Sequence, residues 1–498
     1  MELYENLGFA ENPFSTFSAE EEKSFLNKIY INPLFYQTLK ADLSKGHSRF
    51  ILGARGIGKT ALLLQLKNAL DQDEVFTIII DDFDGIPVKN NDKELAILII
   101  ERLITNFCVV VGRSPDKLKR LDVHQKEKLS FIIKEFFKTL SKRQYESIYN
   151  KSHNIKTKNL FRQIWNNLFN RPINFLISGG IEIVAETARK AMGLPVTSGV
   201  DFYKNYVPEL TLEEIQREKN PEKFLLDFKV LKSILTDLTE IIQASGYKTT
   251  VVFFDKVDEY PKLNGGVSAV ADFLEAFLRD TTILMNKSYS LVFSLWDVLK
   301  PELTNSGVRF DKIKPIDITW QTENLKEIIN ARTKYFSNGR RMISDIVLSE
   351  EKLNAIIALS NNSPRYLFRQ LSYIYDQQAE LNKESKVLND EAIEKGQLVY
   401  SKAFEYYAIY PTKRGSKEDI LTNINRLLKI GKNVIMTKDF VDVYKVSTQT
   451  AISYIKIVQE YNLVKELTEK SEASAKMYEI SDPVIKHLIK YGVTELLK

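Results

Sequence analysis

The chain has 498 residues, of which 44% are hydrophobic and 27% charged, with a net charge of +5. That composition supports buried cores and excludes wholesale disorder, and so nearly balanced a charge does not by itself mark a nucleic-acid binder. A single cysteine, Cys108, excludes an internal disulfide and a cysteine-based zinc site, and the histidines at 47, 124, 153 and 487 show no ligand spacing.

Residues 1–48 carry NPF (Asn12–Phe14), an acidic stretch at Glu20–Glu22 and a helical pattern, PLFYQTLKADL. RFILG (Arg49–Gly53) reads as a short apolar strand, and TALLLQLKNAL (Thr60–Leu70) as a helix after a glycine-rich turn. VFTIIIDDF (Val75–Phe83) is a second strand, followed by a mostly helical stretch to about Ser245. Its first part, Arg113–Lys158, is basic, with 13 Lys and Arg against 5 Asp and Glu. TTVVFFD (Thr249–Asp255) is a third strand, Val270–Asn286 a helix, YSLVFSLW (Tyr289–Trp296) a fourth strand and KPIDITW (Lys314–Trp320) a fifth. Strands alternating with helices predict an α/β fold with a parallel sheet.

From Gln321 to about Gln397 the pattern is helical only. The tail offers helices at Ile420–Ile430, Thr437–Tyr444 and Ser447–Tyr461, then two strands within Val464–Ile480, the makings of a winged helix. The expected organisation is an N-terminal segment (1–48) packed on a P-loop core (49–320) with a helical basic insert (about 113–245), then a helical lid (321–412) and a winged helix (413–498). The N-terminus MELYENLGF lacks the basic and apolar regions of a signal peptide, and every apolar run is too short to span a bilayer. A cytoplasmic protein without membrane contact is expected.

GARGIGKT (Gly53–Thr60) fits G-x-x-x-x-G-K-[ST] at every defined position, in the strand–loop–helix context the motif requires. The phosphate-binding residues predicted are Gly53, Ala54, Arg55, Gly56, Ile57, Gly58, Lys59, Thr60 and Ala61. Glycines allow a tight loop whose N–H groups converge on phosphate oxygens, and the helix that starts there adds its positive dipole end. Lys59 supplies charge for the β- and γ-phosphates, and the Thr60 hydroxyl can ligate Mg²⁺. The carboxylate that completes a metal site belongs at the end of an apolar strand. Asp81 and Asp82 qualify, and so does Asp255. In ring-ATPase topologies the strand after the P-loop helix is a sheet edge, which favours Asp255. Beyond it, Glu259, with Asp258 as the alternative, can orient an attacking water.

This set resembles the AAA+/STAND group of P-loop ATPases. DKVDE (Asp255–Glu259) is similar to the D-G-x-D-E block of NACHT-type switch ATPases, with Lys256 where Gly or Asp is frequent. NNSPRYLFRQL (Asn361–Leu371) resembles the G-N-P-R start of the lid helix in origin-recognition-type ATPases, with Ser363 where Asn is usual. The resemblance implies that Arg365 senses the γ-phosphate, that Ser294 is a polar sensor and that Arg309 is a finger reaching a neighbour's nucleotide. It implies adenine rather than guanine, and a homo-oligomer. GFAENPFSTFSAEEE and WQTENLKEIINARTKYF (Trp320–Phe336) look most like bacterial P-loop ATPases linked to mobile elements and phage defence. The function expected is therefore a Mg²⁺-dependent ATPase acting as a conformational switch that recognises nucleic acid. A scaffold that docks an effector protein through its winged helix is the alternative.

Two further surfaces come from the residues. In the tail's third helix, Thr448, Gln449, Ser453 and Lys456 are placed to face a double-stranded DNA groove, with Ile452, Ile455 and Val458 toward the core. The tail from Lys413 has 15 Lys and Arg against 11 Asp and Glu, a modest excess for DNA binding. In the basic insert, Phe131, Phe136, Phe137, Tyr145 and Tyr149 recur at helical spacing, as core positions do.

Overall fold

The computed structural model describes residues 2–136, 227–264, 266–410, 416, 419–470 and 475–496. Most of the helical basic insert, with Phe137, Tyr145 and Tyr149, lies outside the described residues. Two compact units interleave in sequence. One comprises Leu34–Ile51 and Leu66–Ile316, the other Met1–Pro33, Leu52–Gln65 and Asp317–Lys498.

The first unit is built on a five-stranded sheet of order β2-β3-β4-β1-β5. The strands are β1 (Arg49–Gly53), β2 (Phe76–Ile80), β3 (Thr250–Phe254), β4 (Tyr289–Trp296) and β5 (Ile316–Asp317). β2, β3 and β4 pair in parallel, with Ile80 opposite Phe254 and Phe254 opposite Phe293. Every residue of β3 and β4 is buried, as parallel strands covered on both faces should be. The ladder continues one step past β3, where the Asp255 N–H donates to the Ile80 carbonyl at 3.0 Å.

Around the sheet run α1 (Tyr36–Leu43), α2 (Lys59–Gln72), α3 (Asp92–Arg113), α4 (Val123–Phe136), α5 (Phe228–Ala244), α6 (Val267–Leu278) and α7 (Leu299–Asn305). The single helix expected over Val270–Asn286 is broken. α6 ends at Leu278, and Asp280 caps a new turn by accepting from Thr282 and Ile283 N–H groups while pairing with Lys232 at 2.7 Å. Capping a fresh start satisfies orphan donors that a continuous helix would not have, so the aspartate ends one helix and begins another.

The second unit contains α8 (Thr322–Phe336), α9 (Glu350–Leu359), α10 (Pro364–Leu381), α11 (Asp390–Lys402) and the short α12 (Tyr406–Ile409). It continues with α13 (Ile420–Ile430), β6 (Val434–Met436), α14 (Thr437–Tyr444), α15 (Thr448–Glu460), β7 (Val464–Lys470), β8 (Lys476–Ile480) and α16 (Pro483–Lys490). β6, β8 and β7 form an antiparallel sheet in that order. On α15 the core residues are Ala451, Ile455 and Val458, whereas Ile452, expected inside, is 43% exposed. Ile455 and Val458 face inward as the pattern suggested, and Ala451 takes the place of Ile452 at the start of the stripe.

α10 and α11 cross at Gly396. A Cβ there would stand 2.5 Å from Ile374 Cα and 2.7 Å from its backbone nitrogen, so the crossing accepts only hydrogen. Gly396→Ala is expected to destabilise the chain by about 1–3 kcal/mol, the usual cost of overpacking. Urea or thermal unfolding would check it, and an unchanged midpoint would refute the crossing geometry.

Candidate functional site

β1 delivers the chain into the glycine loop, and α2 begins at Lys59. Gly56 and Gly58 have φ of +80° and +101°, a region closed to most side chains. The loop's carbonyls are engaged by protein donors. Lys59 Nζ donates to the Gly53 carbonyl at 2.7 Å and to that of Ala54 at 3.0 Å. Trp320 Nε1 donates to the Ile57 carbonyl at 2.8 Å, and Ser363 Oγ to the Gly56 carbonyl at 3.1 Å. Arg55 Nη1 donates to the Ala408 carbonyl at 2.7 Å. A loop whose acceptors are turned to the protein is disposed to meet a ligand with donors, which suits an anion.

The start of α10 clasps this loop. Ser363 is the N-cap of α10, with Pro364 in its first turn, and the Arg365 N–H also approaches the Gly56 carbonyl, at 3.4 Å. A Cβ at Gly56 would stand 2.9 Å from Ser363 Oγ and 3.2 Å from Arg365 Cβ. Gly56 therefore answers two demands, a left-handed backbone and close approach of α10. Lys59 and Arg365, distant in sequence, belong to one compact unit.

The other candidates belong to the sheet unit. Asp255 follows β3 and is 4% exposed. The β3–β4 register places Ser294 at the neighbouring position on β4, where its buried hydroxyl has no protein partner. An orphaned hydroxyl costs about 1–3 kcal/mol, a penalty that a ligand or water at the site would remove. Lys256 adopts a left-handed φ of +57°, which accounts for the glycine frequent there in the blocks this segment resembles. That turn starts a short 3₁₀ helix, Val257–Glu259, which leaves Asp258 half-buried and Glu259 exposed. Arg309 is exposed and forked onto Asp311 at 2.8 and 2.6 Å, and this bond draws the Asp311 carboxyl down to about 2.

β2 is the edge strand and β3 its neighbour, the order on which the choice of Asp255 depended. Asp81 and Asp82 lie exposed past the edge strand, and Asp82 pairs with Arg102 at 3.6 Å. On α15, Thr448, Gln449, Ser453 and Lys456 are all exposed. Sequence reasoning missed Trp320 as a loop anchor and the Arg55–Ala408 bond. The indole had a signal, as a tryptophan just past a strand end, whereas a backbone carbonyl has none.

A glycine loop between β1 and α2, in a chain with a sheet of order β2-β3-β4-β1-β5, defines the class as a P-loop α/β fold. No family model and no curated protein matches the chain in sequence. In structure the chain is similar to a Walker-type ATPase of Pyrococcus abyssi, at 14% identity and a TM-score of 0.38, over 95% of this chain and 96% of that one. It is similar to the Aeropyrum pernix ORC1 protein solved in complex with DNA, at 10% identity and a TM-score of 0.35, over 99% and 96%. The ADP form of the Aeropyrum pernix ORC2 protein is similar at 10% identity and a TM-score of 0.35, over 97% of each chain. Among the described residues no helix is long and apolar enough to cross a membrane.

Proposed function

We propose that the chain binds ATP at Gly53–Thr60 and hydrolyses it, acting as an oligomeric switch that recognises nucleic acid. The observation that carries this reading is the clasp of the lid helix on Gly56, which brings Arg365 to the loop whose Lys59 would hold the phosphates. A ligand there would contact both elements, so its γ-phosphate would bias their arrangement.

Two residues carry oxygen donors of the kind magnesium takes. Thr60 in the first turn of α2 and Asp255 after β3 are hard oxygen donors, and the orphaned Ser294 hydroxyl beside Asp255 is a polar group in want of a partner. When bound, the ion would neutralise phosphate charge. In the reaction, a water oxygen bonds to the γ-phosphorus, the bond to the β–γ bridging oxygen breaks, and ADP leaves. Glu259 accepts the water's proton, with Asp258 as the alternative. Arg365 responds to the γ-phosphate, and Arg309, released from Asp311, would serve a neighbouring subunit.

Nucleic acid would meet the tail, whose helices α13, α14 and α15 with the antiparallel sheet suit a winged helix, on the α15 face of Thr448, Gln449, Ser453 and Lys456. A second reading has one observation in its favour. Ile452 stands exposed in the middle of that face and Val443 is exposed on α14, which suits docking of an effector protein. The deciding measurement is ATP turnover with and without double-stranded DNA. Stimulation that Lys456→Glu abolishes supports the nucleic-acid reading, whereas turnover indifferent to DNA removes it in favour of the docking surface.

A further inference from the structure

α12 is a four-residue helix, too short to be stable alone, so its neighbours must hold it. Its contacts come from two directions. From the P-loop, Arg55 donates to the Ala408 carbonyl at 2.7 Å, and from the lid helix, Arg369 pairs with Glu405 at 3.3 Å. Just before α12, Phe404 packs on Tyr366, Tyr400 and Tyr406, with ring centroids 5.0, 5.6 and 4.8 Å apart.

On the other side, α12 reaches the caps of two C-terminal helices. The Tyr407 hydroxyl donates to Asp419 at 2.8 Å, and Asp419 caps α13 by accepting from the Leu421 N–H. The Tyr406 hydroxyl donates at 3.4 Å to Asp482, which caps α16 through the Val484 and Ile485 N–H groups. Tyr410 rests on Tyr461 at the end of α15, centroid to centroid 5.6 Å. Adjacent tyrosines thus hold the caps of both helices, and each such cap is worth about 0.5–2 kcal/mol.

We infer that α12 is a relay by which occupancy of the P-loop is communicated to the C-terminal module, through Arg55 and Ala408 and then Tyr407 and Asp419. The inference rests on the nucleotide reading of the P-loop. Its physical origin lies in Lys59, whose ammonium holds the Gly53 and Ala54 carbonyls just before Arg55. Phosphates compete for that ammonium, which resets the loop backbone from which Arg55 projects. The bond to Ala408 then tightens or loosens, and the α13 cap follows it. This route is separate from the contact of Arg365 with the loop.

The test is hydrogen exchange by mass spectrometry on the full chain, with and without a non-hydrolysable ATP analogue. Wild type is compared with Arg55→Ala and Tyr407→Phe, all at saturating analogue, with binding read in the same samples by anisotropy of a fluorescent ATP. In wild type, exchange in residues 404–410 and in the first turn of α13 is expected to change at least threefold on binding. Tyr407→Phe should keep the change at 404–410 and lose it in α13, and Arg55→Ala should lose both. A retained α13 response in either variant, or no response in wild type with analogue bound, overturns the relay. Failure of wild type to bind the analogue overturns the nucleotide reading and the relay with it, and anisotropy distinguishes that outcome. Should Arg55→Ala not fold, Tyr407→Phe decides alone, since it removes one hydroxyl.

Discussion

Lys59→Ala is expected to lower ATP turnover by about 10²–10³-fold, the loss typical when a preorganised group that meets developing charge is removed. Lys59 is the ammonium that the strand–loop–helix passage delivers to the glycine loop, and it is held there by the Gly53 and Ala54 carbonyls. Alanine leaves the Gly56 and Gly58 turns intact, but it removes the charge and frees the Gly53 and Ala54 carbonyls that the ammonium holds. Asp255→Asn makes the complementary case. It preserves shape in a buried position beside the Ser294 hydroxyl but removes the carboxylate proposed to hold magnesium. Its turnover should fall comparably, and raised Mg²⁺ should restore part of the loss, whereas Lys59→Ala should be insensitive to the metal. Steady-state phosphate release across a Mg²⁺ titration separates the two. Wild-type turnover in Lys59→Ala would remove this loop from the reaction.

Arg332→Ala should cost about 3–5 kcal/mol of stability, the penalty for breaking a buried pair and leaving one charge behind. Arg332, 1% exposed on α8, is the largest fully buried side chain among the described residues. Its guanidinium donates to Glu22 at 2.5 Å, to the Thr16 hydroxyl at 2.7 Å and carbonyl at 3.0 Å, and to the Pro13 carbonyl. Its flat face lies over the Phe368 ring of α10, 4.3 Å from the centroid. Alanine strands the buried Glu22 carboxylate and empties the space over Phe368. Arg332→Met with Glu22→Gln, which removes both charges and keeps volume, should recover much of the loss. Denaturant midpoints report both, and a shift below about 1 kcal/mol in the single variant would show that the pair contributes little.

The strands and the glycine loop were legible because a few strong constraints act locally. RFILG, TTVVFFD and YSLVFSLW are apolar runs bounded by polar residues, and the loop's spacing is fixed by phosphate geometry. The preference for the third-strand carboxylate rested on topology alone, since Asp81 and Asp82 follow an equally apolar strand. What stayed hidden has physical reasons too. β6 is three residues long and takes its pairing from β8, far along the chain, so no local period announces it. The break at Asp280 depends on Lys232, another long-range partner. Ile452 looked like core because an isoleucine in an amphipathic helix usually is, yet at that end of the stripe Ala451 is the buried residue, with Ile455 and Val458 inward as expected. The clasp at Gly56 was half visible, as a resemblance in Ser363–Arg365, without any sign of what the serine would touch. The Arg55–Ala408 bond ends on a backbone atom that every residue carries.

The pairing of Glu22 with Arg332 also bears on how the chain is made. These residues stand 310 apart in sequence, and Tyr4, Asn6, Ala10 and Phe25 likewise meet Tyr375, Lys383, Phe336 and Tyr335 in the part of the unit that resumes at Asp317. At roughly 5–20 residues per second, synthesis leaves the N-terminal segment waiting some tens of seconds for Arg332 to emerge. Meanwhile Phe9, Phe14 and Leu26, all buried in the finished molecule, lack the surfaces that cover them. Maturation of that unit is thus tied to the last third of translation, and a nascent chain stalled near residue 316 would be a natural client for chaperones that bind exposed apolar segments.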